Sequence, residues 1–211
     1  GILAHSLREH LPARFETPAV QATIAAWGMH IDYAPDIAGG CWMPLLETNA
    51  DQQSGISLVR GGSGRVIQAL CDMIRDRGGQ VQTGQTVENV VLEQGRAVGI
   101  RTAGGETIRA ARAVVASVTP TALLKLVDGK LPPAKAKRAA DWSYGPGTLV
   151  IHLALSKLPQ WKDAAARKSF YVHLAPTLDH LAAAYQQGMA GMLSDEPFCA
   201  VGQPTVYDAS R

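Results

Sequence analysis

The stretch from residue 57 to residue 120 limits the possible folds more than any other part of the chain. Strand-like residues 57–60 lead into Gly61-Gly62-Ser63-Gly64. The residues after this turn have helical spacing, and Gly78-Gly79 ends the predicted helix. Further strand-like segments follow at residues 80–83, 86–93, 96–102, 106–110 and 113–116. This order predicts a strand, a helix and a strand, followed by an antiparallel meander.

The predicted helix carries one apolar stripe with spacings of three and four residues. The stripe consists of Val66, Ala69, Leu70, Met73 and Ile74. Such a stripe is typical of an amphipathic helix with one buried face. The strands are predicted from alternation, and Gln94-Gly95 and Gly104-Gly105 indicate tight turns between them. The run 113–116 is apolar throughout, which is typical of a strand covered on both faces.

The glycine turn at Gly61–Gly64 fits several kinds of site incompletely. A dinucleotide fingerprint would need a third glycine where Ile67 stands, and a phosphate loop would need a lysine after the last glycine. A nucleophile elbow centred on Ser63 would need a glycine where Arg65 stands. The remaining interpretation is a sharp turn from a strand into a helix, since glycine tolerates the required backbone angles. A serine hydrolase at Ser63 stays open as a third functional class.

The flanking regions predict more helices and a second set of strands. Residues 1–56 are predicted to be mostly helical and then loop-like, with a helix over 19–31 after Pro18 and a loop over 38–44. The C-terminal part predicts short helices followed by strands and a last helix. These are helices at 121–127 and 133–142, strands at 148–156 and 169–175, and a helix at 177–189.

Composition limits the functional classes. The chain is 46% hydrophobic and 18% charged, with a net charge of +2, so a disordered or nucleic-acid-binding protein is not indicated. The apolar runs are too short for a transmembrane helix. The cysteines, Cys41, Cys71 and Cys199, are widely separated, which favours free thiols and a cytoplasmic protein. The histidines have no metal-ligand spacing, and no metal site is predicted.

Several blocks in order resemble one protein family. They are Arg60–Gly64, Thr83–Val87, Gly95–Ile100, Ala113–Pro120, Trp142–Gly147 and Tyr207–Arg211. Together they look like the phytoene desaturase-like branch of FAD-dependent oxidoreductases, which are relatives of the flavin amine oxidases. Each block alone is weakly specific, and their order carries the resemblance.

The resemblance implies a mixed α+β and α/β fold with two lobes. Residues 57–119 would form an inserted section of the FAD-binding lobe, with the strand, helix and strand plus the antiparallel β-meander. Residues 1–56 would form the helical part of a substrate-binding lobe, and residues 120–211 its antiparallel sheet and further helices. Such enzymes also have an N-terminal GxGxxG turn and a C-terminal FAD segment, neither of which occurs here. The chain is therefore expected to be an internal fragment that is inactive and colourless in isolation.

The resemblance also implies which residues meet FAD. In related flavoenzymes, the main-chain N–H and C=O that recognise adenine come from the position occupied here by Val87, flanked by Thr86. Ala116 and Ser117, at the end of the predicted buried strand, would lie near the ribose and pyrophosphate. The alternative for Val87 is an ordinary core position.

Substrate contacts are expected from the second lobe. His152, on the predicted strand 148–156, would face the cavity if the family's sheet carries over. Trp142 and Tyr144 would add aromatic walls for a lipophilic substrate. The alternatives are a hydrogen-bonded structural histidine and aromatic residues that fill a core.

The implied function is oxidation of a lipophilic or amine substrate by hydride transfer to flavin. No catalytic side chain is predicted, because the flavin does the chemistry in such enzymes. A non-catalytic binding or oligomerisation module built from the same fold pieces is the alternative. Substrate identity, electron acceptor and oligomeric state stay open.

Overall fold

The computed structural model describes residues 4–211 and divides the chain into two compact units. Unit 1 comprises Gly1–Ala69 and Gly145–Arg211, and unit 2 comprises Leu70–Tyr144. The helices are α1 (Leu7–His10), α2 (Pro18–Met29), α3 (Trp42–Ser54), α4 (Gly64–Arg75), α5 (Pro120–Leu126), α6 (Pro133–Ala140) and α7 (Leu178–Met189). The strands are β1 (Val87–Glu93), β2 (Arg96–Thr102), β3 (Thr107–Arg109), β4 (Tyr171–Leu174) and β5 (Cys199–Gly202).

The helices of unit 1 surround a small apolar core. Its fully or nearly fully buried members are Leu7, Leu11, Ala25, Cys41, Leu178 and Leu181. Helix α2 packs against both α3 and α7. Helix α1 begins with a capping box, in which the Ser6 hydroxyl accepts from the Glu9 N–H and the Glu9 carboxylate accepts from the Ser6 N–H at 2.9 Å. Burial of these apolar side chains is the main stabilising contribution in this unit.

Polar contacts join distant segments of unit 1. The Arg8 guanidinium pairs with Asp36 and, at 2.6 Å, with Asp179 in the first turn of α7. The Asp208 carboxylate accepts a hydrogen bond from the Gly61 N–H at 2.5 Å. Arg211 donates to the Gly61 carbonyl at 3.2 Å. The C-terminal segment therefore holds both main-chain groups of Gly61.

Unit 2 contains an antiparallel sheet with the order β1-β2-β3. Val90 lies opposite Ile100, which in turn lies opposite Ile108. Gln94 and Gly95 both have positive φ, at 49° and 77°. Two successive residues of this kind form the turn that best matches the twist of a hairpin. Helices α5 and α6 pack against each other, and α5 also packs against β1.

The mixed α+β class and the antiparallel meander are confirmed, but four predicted strands are wrong. Residues 57–60, 80–83, 113–116 and 148–156 are irregular in this structure. A strand needs neighbours that satisfy its main-chain hydrogen bonds. Within residues 4–211 the ladders join only β1 to β2, β2 to β3 and β4 to β5, so these four segments have no partner strand. The strand–helix–strand arrangement around α4 is therefore absent here.

Two helices differ from expectation in other ways. Helix α3 occupies part of the predicted loop at 38–44. Pro44 does not prevent this, because it lies in the first turn of the helix, where main-chain N–H groups have no helical acceptors. Helix α4 forms as predicted, and Gly78 follows its end with a φ of 77°. Its apolar stripe is nevertheless about half exposed, with Leu70 and Met73 each 50% accessible. No helix within residues 4–211 is long and apolar enough to cross a membrane.

Candidate functional site

The start of β1 presents free main-chain groups at the edge of the sheet. The Ala103 N–H donates to the Thr86 carbonyl at 2.9 Å, which marks Thr86 and Ala103 as a hydrogen-bonded pair. Hydrogen-bonded and non-hydrogen-bonded pairs alternate along an antiparallel ladder. The next pair, Val87 opposite Thr102, is therefore non-hydrogen-bonded. The N–H and C=O of Val87 consequently point away from β2, and β1 is an edge strand.

The orientation of Thr102 independently supports the conclusion that Val87 and Thr102 form a non-hydrogen-bonded pair. Its main-chain N–H donates to the Glu106 carbonyl at 2.9 Å, on the side of β2 that faces β3. A main-chain group directed to that side is not available to β1. Val87 thus has one donor and one acceptor directed outward. A main-chain donor and acceptor that point outward can form hydrogen bonds with the polar edge of a ligand.

Ala116 and Ser117 lie in the exposed irregular segment before α5. Ala116 lines a cavity of about 240 Å³ together with Val114 of the same segment and Val90 and Leu92 of β1. Thr86, Val87 and Ser117 do not line this cavity. The structure therefore brings Ala116 against β1, but it does not gather all four predicted cofactor residues around one cavity.

Tyr144 takes part in a hydroxyl network at the start of α5. Its hydroxyl shares a hydrogen bond with Thr121, and the hydroxyls of Thr119 and Thr121 are 3.4 Å apart. Hydrogen bonds with Thr119 and Thr121, with a smaller contribution from the charge of Lys125, lower the pKa of Tyr144 below its usual value. The phenol ring is 54% exposed and open to solvent. Tyr144 could therefore meet a ligand or donate a proton.

Trp142 and His152 lie on exposed irregular segments. Trp142, in unit 2, is 51% exposed. His152 belongs to unit 1, within the segment expected to form a strand. Without a strand at 148–156, alternation does not define which way His152 points. The strand-based argument for His152 as a cavity residue is therefore wrong in this structure.

Sequence reasoning missed a histidine pair in unit 1. His30 at the C-terminal end of α2 and His173 of β4 have their Nε2 atoms 2.9 Å apart. The ring of Trp27 stacks on His30 with 5.6 Å between centroids and meets His173 edge-on. No local signal links two residues this far apart in the sequence. Among residues 4–211, no cluster of three or more potential metal ligands occurs.

The arrangement in unit 2 is compatible with part of a flavin adenine dinucleotide site. An outward main-chain donor and acceptor at Val87 suit an adenine edge, and the cavity beside Ala116 is lined mostly by apolar side chains. The model for the family of flavin containing amine oxidoreductases matches residues 4–190. The chain therefore belongs to this family of flavin-dependent oxidoreductases, and its phytoene desaturase-like character is confirmed by the relatives described next.

Curated relatives include two carotenoid desaturases and a mammalian protein. The 4,4'-diapophytoene desaturase of Methylomonas sp is 26% identical over 117 residues, covering 55% of this chain and 22% of that protein. Hydroxyneurosporene desaturase of Rubrivivax gelatinosus is 31% identical over 105 residues, covering 50% of this chain and 19% of that protein.

The third relative covers more of the chain. Pyridine nucleotide-disulfide oxidoreductase domain-containing protein 2 of Mus musculus is 25% identical over 224 residues, covering 98% of this chain and 38% of that protein. The aligned regions thus span between about a fifth and two fifths of the relatives' lengths. No solved structure matches the chain significantly.

Proposed function

We propose that this chain supplies part of the FAD-binding lobe and the substrate-binding lobe of a longer, cytoplasmic FAD-dependent oxidoreductase. The observation that carries the proposal is the match to the flavin-dependent family over residues 4–190. In this proposal residues 57–119 belong to the FAD lobe, while residues 1–56 and 120–211 form the substrate lobe. The apolar stripe of α4 and the extended segments would pack against further polypeptide, which the greater length of the relatives supports.

The cofactor contacts follow from the main chain at the edge of β1. The Val87 N–H and C=O would bind the adenine edge, and Thr86 would position them through its bond to Ala103. Ala116 and Ser117 would flank the ribose and pyrophosphate. When bound, FAD would accept a hydride from the substrate. The protein would contribute binding, orientation and exclusion of water.

The substrate would be a lipophilic or an amine molecule, and the names of the desaturase relatives favour the lipophilic class. Trp142 and Tyr144, both in unit 2, would line its binding site, and a substrate contact of His152, which lies in unit 1, stays a separate prediction. Hydride abstraction from a hydrocarbon needs no strong side-chain base.

An NMR titration of the 211-residue chain with FAD tests the cofactor assignment. We expect weak binding, because the chain would supply only part of the pocket, together with shifts of the amide signals at Val87 and Ser117. Val87→Pro removes the outward N–H without breaking a ladder bond, since proline is tolerated at the first residue of an edge strand. It should weaken FAD binding about fivefold to tenfold, as expected for one lost hydrogen bond.

Thr107→Pro is the matched control for this variant. Thr107 is the first residue of β3, the opposite edge of the same sheet, and lies opposite Arg101 in a non-hydrogen-bonded pair next to the Thr102–Glu106 bond. This control should bind FAD as the native chain does. Unchanged signals at residues 86–87 and 116–117 in excess FAD would contradict the cofactor assignment. A stoichiometric yellow complex that survives gel filtration would contradict the partial-pocket proposal.

A further inference from the structure

Two imidazole rings meet in unit 1, outside every residue assigned above. His30 follows the last turn of α2, and His173 lies near the end of β4 opposite the small residue Ala200. Their Nε2 atoms are 2.9 Å apart, and the ring planes are inclined by 67°. Such a pair needs one Nε2 that carries a proton and one that does not. One proton therefore lies between the two Nε2 atoms, and another electrophile can take its place.

We propose that His30 and His173 form a two-histidine binding site for a divalent transition-metal ion of the Cu²⁺ or Ni²⁺ type. Metal–nitrogen bonds of about 2.0–2.1 Å at a right angle place two nitrogen atoms about 2.9 Å apart. This equals the separation of the two Nε2 atoms. Binding moves the shared proton to an Nδ1 atom and turns both Nε2 lone pairs toward the ion. No net proton is gained or lost when both rings start neutral.

The surroundings of the pair favour a cation. His30 stands at the C-terminal end of the twelve-residue helix α2, where the helix dipole is negative. Trp27 stacks on His30, and Phe198 packs at 5.8 Å from His173, so both rings are held close to each other.

The geometry also predicts selectivity. Tetragonal coordination has right angles between neighbouring ligands and is preferred by Cu²⁺ and Ni²⁺, whereas tetrahedral Zn²⁺ holds two nitrogens about 3.3 Å apart. Imidazole is a poor ligand for Mg²⁺, which prefers oxygen. His30 is exposed, so water can complete the coordination shell. The expected order of affinity is Cu²⁺ above Ni²⁺, with Zn²⁺ weaker than Cu²⁺ and no binding of Mg²⁺.

Calorimetric titration of the full 211-residue chain with each metal ion alone tests the site. We expect one equivalent of Cu²⁺ and of Ni²⁺ bound to the native chain. His30→Gln and His173→Gln should each lower the affinity at least about tenfold, because one of two ligands is lost. His152→Gln is the matched control, since it removes an exposed histidine of the same unit that the proposal does not use, and it should bind as the native chain does.

Electron paramagnetic resonance of the Cu²⁺ complex provides a second readout. The native complex should show coupling to two imidazole nitrogens, and each glutamine variant should show one. Circular dichroism checks that the variants stay folded. Equal Cu²⁺ affinity of the native chain and both variants would overturn the proposal. So would a Cu²⁺ spectrum of the native chain without imidazole coupling.

Discussion

Gly61 and Gly62 show how single residues shape the loop before α4. Both have positive φ, at 82° and 88°, in the region that side chains disfavour. The Gly61 main chain is held by Asp208 and Arg211. A Cβ on Gly62 would collide with the guanidinium of Arg211. The glycines are therefore required for the backbone conformation of this loop, whereas the flexible side chain of Arg211 can move aside.

Gly62→Ala should lower the free energy of unfolding by about 1–2 kcal/mol, because alanine is strained at positive φ. Gly64→Ala is the matched control in the same turn. Gly64 begins α4 and does not have a positive φ, and a Cβ added to it would meet open space. Alanine there should be neutral or stabilising by up to about 1 kcal/mol. Urea denaturation of both variants measures the difference, and equal costs would contradict the strain assigned to the positive φ of Gly62.

At the scale of secondary-structure elements, the sequence predicts the helices and hairpins whose hydrogen bonds are formed between residues close together in the chain. Helices α2 and α7 and the hairpin of β1 and β2 form where spacing and turn residues indicate, because their hydrogen bonds are made nearby in the chain. The segment 148–156 alternates as a strand does, yet it remains irregular. A strand depends on distant partners, and alternation alone does not supply them. The same limit explains why the His30–His173 pair was missed.

Helix α4 and helix α7 allow a direct comparison of apolar burial. Leu181 of α7 is fully buried, whereas Leu70 of α4 is 50% exposed. Leu181→Ala should cost about 2–5 kcal/mol in unfolding free energy, as expected for a cavity in a packed core. Leu70→Ala should cost less than about 1 kcal/mol. Urea denaturation followed by circular dichroism measures both, and a similar cost for Leu70→Ala would mean that the stripe of α4 is covered in solution.

At the scale of the whole molecule, the chain carries much apolar surface and little net charge. The segment from Thr148 to Leu155 has no proline and no permanently charged residue, and Leu149 is 81% exposed. The net charge is only +2. Exposed β-branched and apolar segments of this kind promote association between chains, and low net charge does little to oppose it.

Ile151→Lys should reduce self-association of the chain, because it places a charge within the apolar segment. Ile151 is exposed, so the substitution should leave folding stability nearly unchanged. Thr148→Lys adds the same charge at the edge of the segment and is the matched control. Light scattering against protein concentration and thioflavin T fluorescence measure the difference. Equal improvement by both variants would show that net charge, rather than this segment, controls association.

The order of the two units along the chain has a consequence during protein synthesis. Leu7 and Leu11 are translated before unit 2, but their core partners Leu178 and Leu181 are translated only after all of unit 2. The sheet of unit 2 needs only residues that are close together in translation. Unit 2 can therefore close first, while the helices that precede it wait for residues 145–211.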